Sequence, residues 1–464
     1  MSKAIVPFKD YDFPCDYERP LDLQVKTVSN LIKHRYFYCL SGMGTGKTLS
    51  CLWATDFLAL NQKISKVLIV APLSTLQTVW MNEIFKHIQS RQGVVVHHYN
   101  KAKRIEMLKR DVMYYIINHD GVKLLEGELK KKKFDVIIID ELTAFKNNTS
   151  DRTKAMKRVC RTAKAVWGLT GSMTANKVLD AFGQCQTVNP YNDALPTYYG
   201  VFRDLLTIKF DEFTHVPRDN WEQILLPMVQ PSIRFSLDDC IDLPPIIYEY
   251  RNVPMTKQQV VVYKTMQKQF IVEMEEGTIK AANSGVKVMK LMQISCGAVF
   301  DTDHKLVSVD NSNKLKEMMD LYEQLDTKKL IVFCNFRGSL MNVLDHIRSK
   351  GITAEGVHGD VSKNNRSRFF ENFQHGDLNV LVMQPNATAH GLTLTAACTI
   401  LWFGPITSNE TFIQACARIR RPGQTRKQLV VMLQSSAIER KMFKSLQGKE
   451  ANSQLFMSLI EEQL

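Results

Sequence analysis

Short runs of β-branched residues alternate along the chain with segments whose apolar residues have helical spacing. A parallel sheet covered by helices produces this alternation, because its strands are buried on both faces and need crossover helices between them. In the first part of the chain the runs are KVLIVAP (66–72), YYIINH (114–119), FDVIIID (134–140) and AVWGLTG (165–171). These runs predict one parallel sheet.

The same alternation restarts in the last third of the chain, with KLIVFC (329–334), AEGVHG (354–359), NVLVMQ (379–384), TILWFG (399–404) and QLVVML (428–433). A chain of 464 residues suits two domains of roughly 200 residues each. We expect an α/β fold with two parallel-sheet domains in tandem, residues 1–237 and 238–464. Residues 255–300 are predicted to be a helical insertion, which either protrudes or packs against the second sheet.

The composition is that of an ordinary globular protein, with 45% hydrophobic and 23% charged residues. No apolar run approaches the roughly 20 residues of a membrane-spanning helix. The first residues carry charge and proline where a signal peptide has an apolar segment. Ten cysteines are scattered without zinc-site or disulfide-framework spacing. We therefore expect an intracellular protein with no membrane association.

The formal net charge of +13 favours a polyanionic partner, because clustered Lys and Arg release counterions from a phosphate backbone. Charge alone leaves the partner open, since many basic proteins bind no nucleic acid. The densest basic run, Lys130–Lys133, is expected to be a solvated loop before a strand.

The segment SGMGTGKT (41–48) lies between an apolar run and a helix-like segment, 49–60. Glycines let backbone N–H groups surround phosphate oxygens, and the helix N-terminus adds partial positive charge. Lys47 is expected to reach the β- and γ-phosphates, and the Thr48 hydroxyl to ligate Mg²⁺. Ser41 stands where the strict pattern has glycine, but the predicted phosphate loop keeps Gly44, Thr45 and Gly46.

An apolar strand, 134–139, ends in two adjacent carboxylates. Hydrolysis needs one acid for the metal and one for the attacking water. We expect Asp140 to hold Mg²⁺ through water and Glu141 to orient and deprotonate the attacking water. The alternative is a strand that ends in a solvated acidic turn.

A third segment, QACARIRRPGQ (414–424), carries Arg418 and Arg421 three residues apart, which predicts that they share one helical face. An arginine pair beside a γ-phosphate stabilises transition-state charge. Because these arginines lie in the second domain, hydrolysis is expected to require closure of the cleft between the domains. The alternative is a basic helix that binds a phosphate backbone, mainly through Arg420 and Arg426.

Eight segments in order resemble the motifs of superfamily 2 helicases and translocases, within them the SNF2-like branch. They are RPLDLQ with Gln24 (the Q motif that reads adenine), SGMGTGKT (I), VLIVAPLSTLQTVWMNEI (Ia), DELTAFKN (II), LTGSMTAN (III), LIVFCNFRGSL (IV), GLTLTAA (V) and QACARIRRPGQT (VI). The resemblance implies two RecA-like domains, with ATP and Mg²⁺ as cofactors. It also places Gln414 among the catalytic residues.

By the same resemblance, motifs Ia, IV and V contact a phosphate backbone, which here indicates Ser74, Thr75, Asn335, Arg337 and Thr393. Hydroxyl and amide donors suit phosphates without reading base sequence. Three tryptophans near these motifs, Trp80, Trp167 and Trp402, are instead expected to pack in the cores.

Some positions depart from the family pattern. Leu142 and Thr143 replace the usual residues of motif II, Met173 replaces a proline in motif III and Ala417 replaces a glycine in motif VI. The metal acid, the base and both arginines are present, so activity is expected, and the departures concern the coupling of ATP state to DNA grip.

These features together predict an ATP-dependent DNA translocase or helicase that remodels or unwinds branched DNA in replication, recombination or repair. Its partner is then duplex or branched DNA bound without sequence specificity, in a bacterial cell or a phage-infected host. An ATP-gated nucleic-acid clamp or defence switch is the alternative. The chain is expected to be monomeric or weakly oligomeric, with the segment after Gly448 packing on the core.

Overall fold

The computed structural model describes residues 6–14, 20–174, 176–211, 215–236, 243–275, 281–300, 306–387, 393–421 and 423–446. These residues form two compact units, and the second begins at Leu243. The predicted domain boundary between residues 237 and 238 falls outside the described residues, as does the segment after Gly448.

The strands of the first unit are β1 (Tyr36–Cys39), β2 (Val67–Ala71), β3 (Gly93–Val95), β4 (Tyr114–Asn118), β5 (Val136–Ile139), β6 (Ala165–Leu169), β7 (Thr207–Lys209), β8 (His215–Pro217) and β9 (Ser232–Ile233). Seven of them form one sheet with the order β3-β4-β2-β5-β6-β1-β9, in which every pair is parallel. A separate antiparallel pair is formed by β7 and β8. The predicted strands of this region are therefore confirmed.

Helices connect these strands. They are α1 (Asp22–Lys33), α2 (Lys47–Leu60), α3 (Asn82–His87), α4 (Lys101–Lys109), α5 (His119–Leu124), α6 (Glu126–Lys132), α7 (Asp151–Cys160), α8 (Ala181–Val188), α9 (Tyr199–Leu206) and α10 (Trp221–Leu225). Asn100 and Ser150 begin α4 and α7 by accepting a hydrogen bond from a backbone N–H of the first turn.

The strands of the second unit are β10 (Ile246–Asn252), β11 (Ala298–Phe300), β12 (Leu306–Ser308), β13 (Leu330–Phe333), β14 (Ala354–Val357), β15 (Val380–Met383), β16 (Thr399–Trp402) and β17 (Gln428–Gln434). Six of them form a parallel sheet with the order β10-β17-β16-β13-β15-β14, and β11 and β12 form an antiparallel pair. The prediction of two parallel-sheet units is confirmed.

Helices of the second unit are α11 (Lys257–Glu275), α12 (Ala281–Ser295), α13 (Ser312–Glu323), α14 (Arg337–Ser349), α15 (Lys363–His375) and α16 (Asn409–Cys416). A further helical segment covers 437–446. Among the described residues, none of the helices combines the length and apolar character needed to cross a bilayer.

Each sheet buries both faces. In β2, Leu68 and Val70 belong to one hydrophobic cluster, whereas Val67, Ile69 and Ala71 belong to the cluster on the other face. Burying one such side chain contributes about 1.5–3 kcal/mol, so these alternating clusters are the main stabilisation of the sheets. The predicted core packing of the tryptophans is confirmed, because Trp80, Trp167 and Trp402 are at most 1% exposed.

The predicted helical insertion consists of α11 and α12, which contact each other. Gln259 donates to the carbonyls of Ile294 and Ser295, and Met292 is fully buried, so the ends of these helices pack within the unit. The side chains of 269–285 lie outside the described residues. The expectation of a loop at Lys130–Lys133 was wrong, because three of these lysines form the last turn of α6, where cations stabilise the carbonyl end of a helix.

A buried ion pair links α13 to the segment after β17. Lys314 Nζ lies 2.7 Å from Glu439 Oε1, with the side chains 1% and 0% exposed. Lys314 also donates to the Phe403 carbonyl, and Glu439 accepts from the backbone N–H groups of Ser435 and Ser436. Burial alone lowers the pKa of Lys314, but the Glu439 carboxylate outweighs it and the net pKa shift is upward.

Lys314→Met should destabilise the second unit by about 3–5 kcal/mol, because it leaves a buried carboxylate uncompensated. The measurement is urea denaturation followed by hydrogen exchange in peptides of β16 and β17. Arg348→Met is the control in the same unit, since it breaks a partly exposed pair with Glu355 whose loss should have little effect on stability. Equal, small effects of the two substitutions would contradict this prediction.

Candidate active site

The glycine loop lies between the end of β1 and the start of α2, as predicted. Gly44 and Gly46 have positive φ angles of 82° and 78°, which L side chains rarely adopt. Gly46 also touches Gln24, since a Cβ atom on Gly46 would fall 2.2 Å from Gln24 Nε2. Gln24 is 2% exposed, and its Oε1 accepts from the Leu21 N–H at the start of α1. The structure thus brings the predicted adenine-reading glutamine against the loop.

Lys47 and Thr48 are the first two residues of α2, where orphan backbone N–H groups and the helix dipole favour an anion. Lys47 Nζ donates to the carbonyls of Ser41 and Gly42, each at 2.6 Å, so the ammonium lies over the loop. The Thr45 hydroxyl donates to the Gly42 carbonyl and tightens the turn.

Ser41, the departure from the strict glycine pattern, has a role of its own. It is 2% exposed, and its hydroxyl accepts a hydrogen bond from the Phe235 N–H at 3.0 Å. Gly42 N–H in turn donates to the Phe235 carbonyl at 2.8 Å. The side chain of Ser41 therefore ties the loop to the segment after β9.

Asp140 and Glu141 follow β5 directly, and several contacts fix the first of them. The Asp140 N–H donates to the Val70 carbonyl of the neighbouring strand at 2.8 Å. The Asp140 carboxylate accepts from the Trp80 indole N–H through Oδ2 at 2.9 Å and from the Glu141 N–H through Oδ1 at 3.1 Å. Glu141 has a φ of 52°, so the chain turns sharply at the residue predicted to be the base.

His119, the first residue of α5, holds the main chain at the same point. Its Nε2 lies 2.8 Å from the Asp140 carbonyl, and because a carbonyl only accepts, Nε2 carries the proton. Burial lowers the pKa of His119 to about 4, against a smaller upward effect of the Asp140 carbonyl. His119 is therefore neutral at physiological pH.

The loop and the acidic pair lie at the same edge of the sheet, because they follow the carboxyl ends of β1 and β5, which both pair in parallel with β6. The Cys51 thiol of α2 has its pKa raised well above the usual value, chiefly by burial, and both the Asp140 carboxylate and the Lys47 ammonium act on it. Both charged groups are thus within electrostatic reach of one point on α2.

The residues of motif III line the adjoining strand end. Thr170 N–H donates to the Cys39 carbonyl of β1, and the Thr170 hydroxyl donates to the Ser172 carbonyl. Met173, in place of proline, is fully buried and its carbonyl accepts from Gln184. Leu142 packs against Gly168, where a Cβ atom would fall 2.8 Å from Leu142 Cδ2. These two departures therefore fill the core.

The expectation that Arg418 and Arg421 share a helical face was wrong. Helix α16 ends at Cys416, and both arginines lie in the turns that follow, because the Arg418 N–H donates to Ala415 and its carbonyl accepts from Leu394. The Arg418 side chain is 2% exposed and that of Arg421 is half-buried. Gln414 lies in the last turn of α16 and is half-buried.

Two side chains after these arginines bind motif V. Gln424 Nε2 donates to the carbonyls of Ala397 and Ile419, at 3.0 and 3.2 Å. Arg426 donates to the carbonyls of Ala396 and Thr395. Arg426 is thus engaged with the backbone of its own unit, and motif V is tied to motif VI.

The residues predicted to contact nucleic acid follow strand ends. Ser74 is half-buried after β2, whereas Thr75 is 4% exposed and its hydroxyl donates to the Pro72 carbonyl. Asn335 is half-buried after β13, and the exposed Arg337 pairs with Asp360. Thr393 is exposed, and the preceding part of motif V lies outside the described residues.

The residues present fit a magnesium-bound nucleoside triphosphate. The Gly46 position has no room for a Cβ atom, the start of α2 and Lys47 supply positive charge, and the Thr48 hydroxyl and Asp140 carboxylate are oxygen donors of the type that Mg²⁺ takes. Sequence reasoning missed Trp80, His119 and Gln424 as contributors. The sequence offered one weak indication of a role for His119, which is a polar residue directly after a buried strand.

A family model described as the SNF2-related domain matches residues 40–298, and one described as the helicase conserved C-terminal domain matches residues 313–423. The first alone covers more than half of the 464 residues. The chain therefore belongs to the SNF2-related family of ATP-dependent helicases and translocases.

Relatives of the chain come from several sources. Putative protein p41 of Acyrthosiphon pisum secondary endosymbiont phage 1 is 25% identical over 403 residues, covering 83% of this chain and 84% of the relative. An uncharacterized ATP-dependent helicase of Mycoplasma genitalium is 25% identical over 395 residues, covering 83% of this chain. This chain spans 36% of the length of that helicase.

Chromodomain-helicase-DNA-binding protein 1-like of Danio rerio is 23% identical over 447 residues, covering 89% of this chain and 41% of the relative. Among solved structures, the Sulfolobus solfataricus SWI2/SNF2 ATPase core in complex with dsDNA has a TM-score of 0.45 and 20% identity, and covers 97% of this chain and 96% of that one.

Acidification should weaken the first unit through His119. Its folded pKa of about 4 lies below the ordinary 6.5, so its contribution is fully present above pH 6.5 and is lost as pH falls to 4. The loss amounts to about 3 kcal/mol at most. The measurement is melting temperature against pH for the wild type and for His119→Gln, which keeps a donor but does not titrate. Parallel profiles for the two proteins would contradict this assignment.

Proposed function

We propose that the chain is a DNA-dependent ATPase that translocates on double-stranded DNA and remodels branched structures such as forks and junctions. The phage and mycoplasma sources of two relatives support a bacterial or phage-infected cell as the setting, and we propose a place there in replication, recombination or repair. Strand separation while tracking one strand is the second candidate, favoured by the helicase name of the mycoplasma relative.

The observation that carries the proposal is the joint placement of the glycine loop and the acidic pair in the first unit. Gln24 lies against the loop where an adenine ring is to be read, Lys47 is directed over the loop, and Asp140 is fixed by hydrogen bonds. An ATP phosphate chain is then held by the loop, Lys47 and the start of α2.

Magnesium supplies charge neutralisation on the phosphates when it is bound, and Thr48 and Asp140 are the residues that hold it. Glu141 has the role of base, since it directly follows the metal acid and a carboxylate can orient a water molecule and accept its proton. We assign Arg418 and Arg421 to the γ-phosphate, where they stabilise the charge that develops during transfer.

Arg418 and Arg421 are thus assigned to the same hydrolysis step as the phosphate loop and the acidic pair, which favours coupling of the ATP state to movement. The tie from Gln424 and Arg426 to motif V supports it too, because the segment with the catalytic arginines and the segment with Thr393 are joined by hydrogen bonds. A displacement of the arginines would therefore also move Thr393, which is a predicted DNA contact.

The nucleic-acid contacts proposed are Ser74, Thr75, Asn335, Arg337 and Thr393. Both the hydroxyl and the backbone N–H of Thr75 donate to the Pro72 carbonyl, so a phosphate contact at Thr75 requires one of these hydrogen bonds to be exchanged. Hydroxyl, amide and guanidinium donors bind phosphate oxygens of any sequence. The net charge of +13 supports a nucleic acid as the partner, and the name of the Danio rerio relative, which includes the words DNA-binding, supports DNA. We propose a monomeric or weakly oligomeric state.

Duplex, fork or four-way-junction DNA should raise the ATPase rate by about tenfold or more, which corresponds to about 1.4 kcal/mol of barrier. A bound third strand should be displaced from duplex DNA in the presence of ATP and Mg²⁺. Lys47→Ala is the control and should abolish both, since it removes the cation that reaches the phosphates.

Other outcomes separate the candidates. Stimulation by single strands alone would replace duplex translocation with strand-tracking unwinding. Stimulation by duplex without displacement of the third strand would support an ATP-gated clamp or defence switch. Equal ATPase rates with and without every nucleic acid would refute the motor.

A further inference from the structure

We propose that Trp80 is a positioning residue for the metal acid: its indole N–H fixes the Asp140 carboxylate in the orientation that receives Mg²⁺. This inference rests on the proposed function, because it gives Asp140 the role of magnesium acid. It adds to that function a residue outside the phosphate loop and the acidic pair.

The contact itself is specific. Trp80 Nε1 lies 2.9 Å from Asp140 Oδ2, and the Trp80 side chain is 0% exposed. An indole N–H only donates, and an ionised carboxylate only accepts, so the polarity of this hydrogen bond is settled. A hydrogen bond to a charged group is shorter and stronger than a bond between neutral groups.

The backbone around Trp80 is also unusual. Residues Leu76–Met81 form a π-helical turn, which is rare in proteins and is frequent at functional sites. Leu76 and Trp80 of this turn are buried, whereas Gln77 and Thr78 are exposed. Trp80 thus points inward from this widened turn and contacts the carboxylate of Asp140, which lies 60 positions later in the sequence.

The main chain of Asp140 is held independently of Trp80. The His119 ring binds the Asp140 carbonyl, and the Asp140 N–H binds the Val70 carbonyl. Loss of the indole N–H therefore acts on the carboxylate and leaves the strand end in place. Each carboxylate oxygen has two lone pairs, so Oδ2 can accept from Trp80 and still face a water molecule on the metal.

Groups that orient a metal ligand control metal affinity. Their removal typically lowers affinity or activity by about 10–100-fold, because the ligand then samples orientations that do not bind. A merely structural tryptophan would lower stability without changing the response to magnesium. The magnesium dependence of nucleotide binding is consequently the property that separates the two roles.

The test compares Trp80→Phe with Trp167→Phe. Both remove an indole N–H from a buried ring of the first unit, and Trp167 donates to the His34 carbonyl instead of a carboxylate. A fluorescent ATP analogue is titrated at increasing Mg²⁺ concentration and, separately, in EDTA. For Trp80→Phe the Mg²⁺ midpoint should rise by about tenfold, with binding in EDTA unchanged. For Trp167→Phe neither should change.

A second measurement needs no variant that might fail to fold. In protein with ¹⁵N-labelled indoles, the Trp80 N–H resonance should shift when Mg²⁺ is added to the ATP-bound protein, and the Trp167 resonance should stay. A folded Trp80→Phe protein whose Mg²⁺ midpoint lies within about twofold of wild type would overturn the inference. Equal midpoint shifts in both variants, or an unmoved Trp80 resonance, would overturn it too. Failure of wild-type protein to bind ATP would instead refute the proposed function.

Discussion

Parallel pairing of the strands in the first unit is the constraint on which the candidate site depends. Because β1, β2, β4, β5 and β6 all run in the same direction, their carboxyl ends meet at one edge of the sheet. The glycine loop, motif Ia, His119, the acidic pair and motif III each follow one of these ends. Short segments that are far apart in sequence therefore lie at the same edge of the sheet.

Parallel pairing also brings two motifs of the second unit together. Motif V ends just before β16 and motif VI ends just before the neighbouring parallel strand β17, so both motifs lead to the same edge of the sheet. Gln424 of motif VI and Arg426, which directly follows this motif, donate to carbonyls of motif V, so side chains satisfy the backbone of that motif. The segment proposed to act on a phosphate and the segment proposed to contact nucleic acid are therefore joined by hydrogen bonds.

The strands could be predicted because burial on both faces requires continuous apolar runs, and the acidic pair because it ends one of them. Local patterns did not show where α16 ends: the three-residue spacing of Arg418 and Arg421 suggests a helix, but the Arg418 carbonyl accepts from Leu394, a partner 24 positions away in sequence. They likewise showed that Trp80 is buried, but not which acceptor its N–H meets, because that depends on a π-helical turn. The local spacing of residues therefore did not predict which partners form hydrogen bonds across long distances in the sequence.

The mechanism depends on the proposal that Arg418 and Arg421 act on the same triphosphate as Lys47, Asp140 and Glu141. The affinity of Arg418→Ala protein for Mg²⁺-ADP with aluminium fluoride, a transition-state analogue, relative to its affinity for ADP alone, tests this proposal. We expect a loss of about 100-fold or more for the analogue and little change for ADP, since the arginine binds only the charge that develops at the γ-position. Equal affinities of the variant and the wild type for the analogue would contradict it.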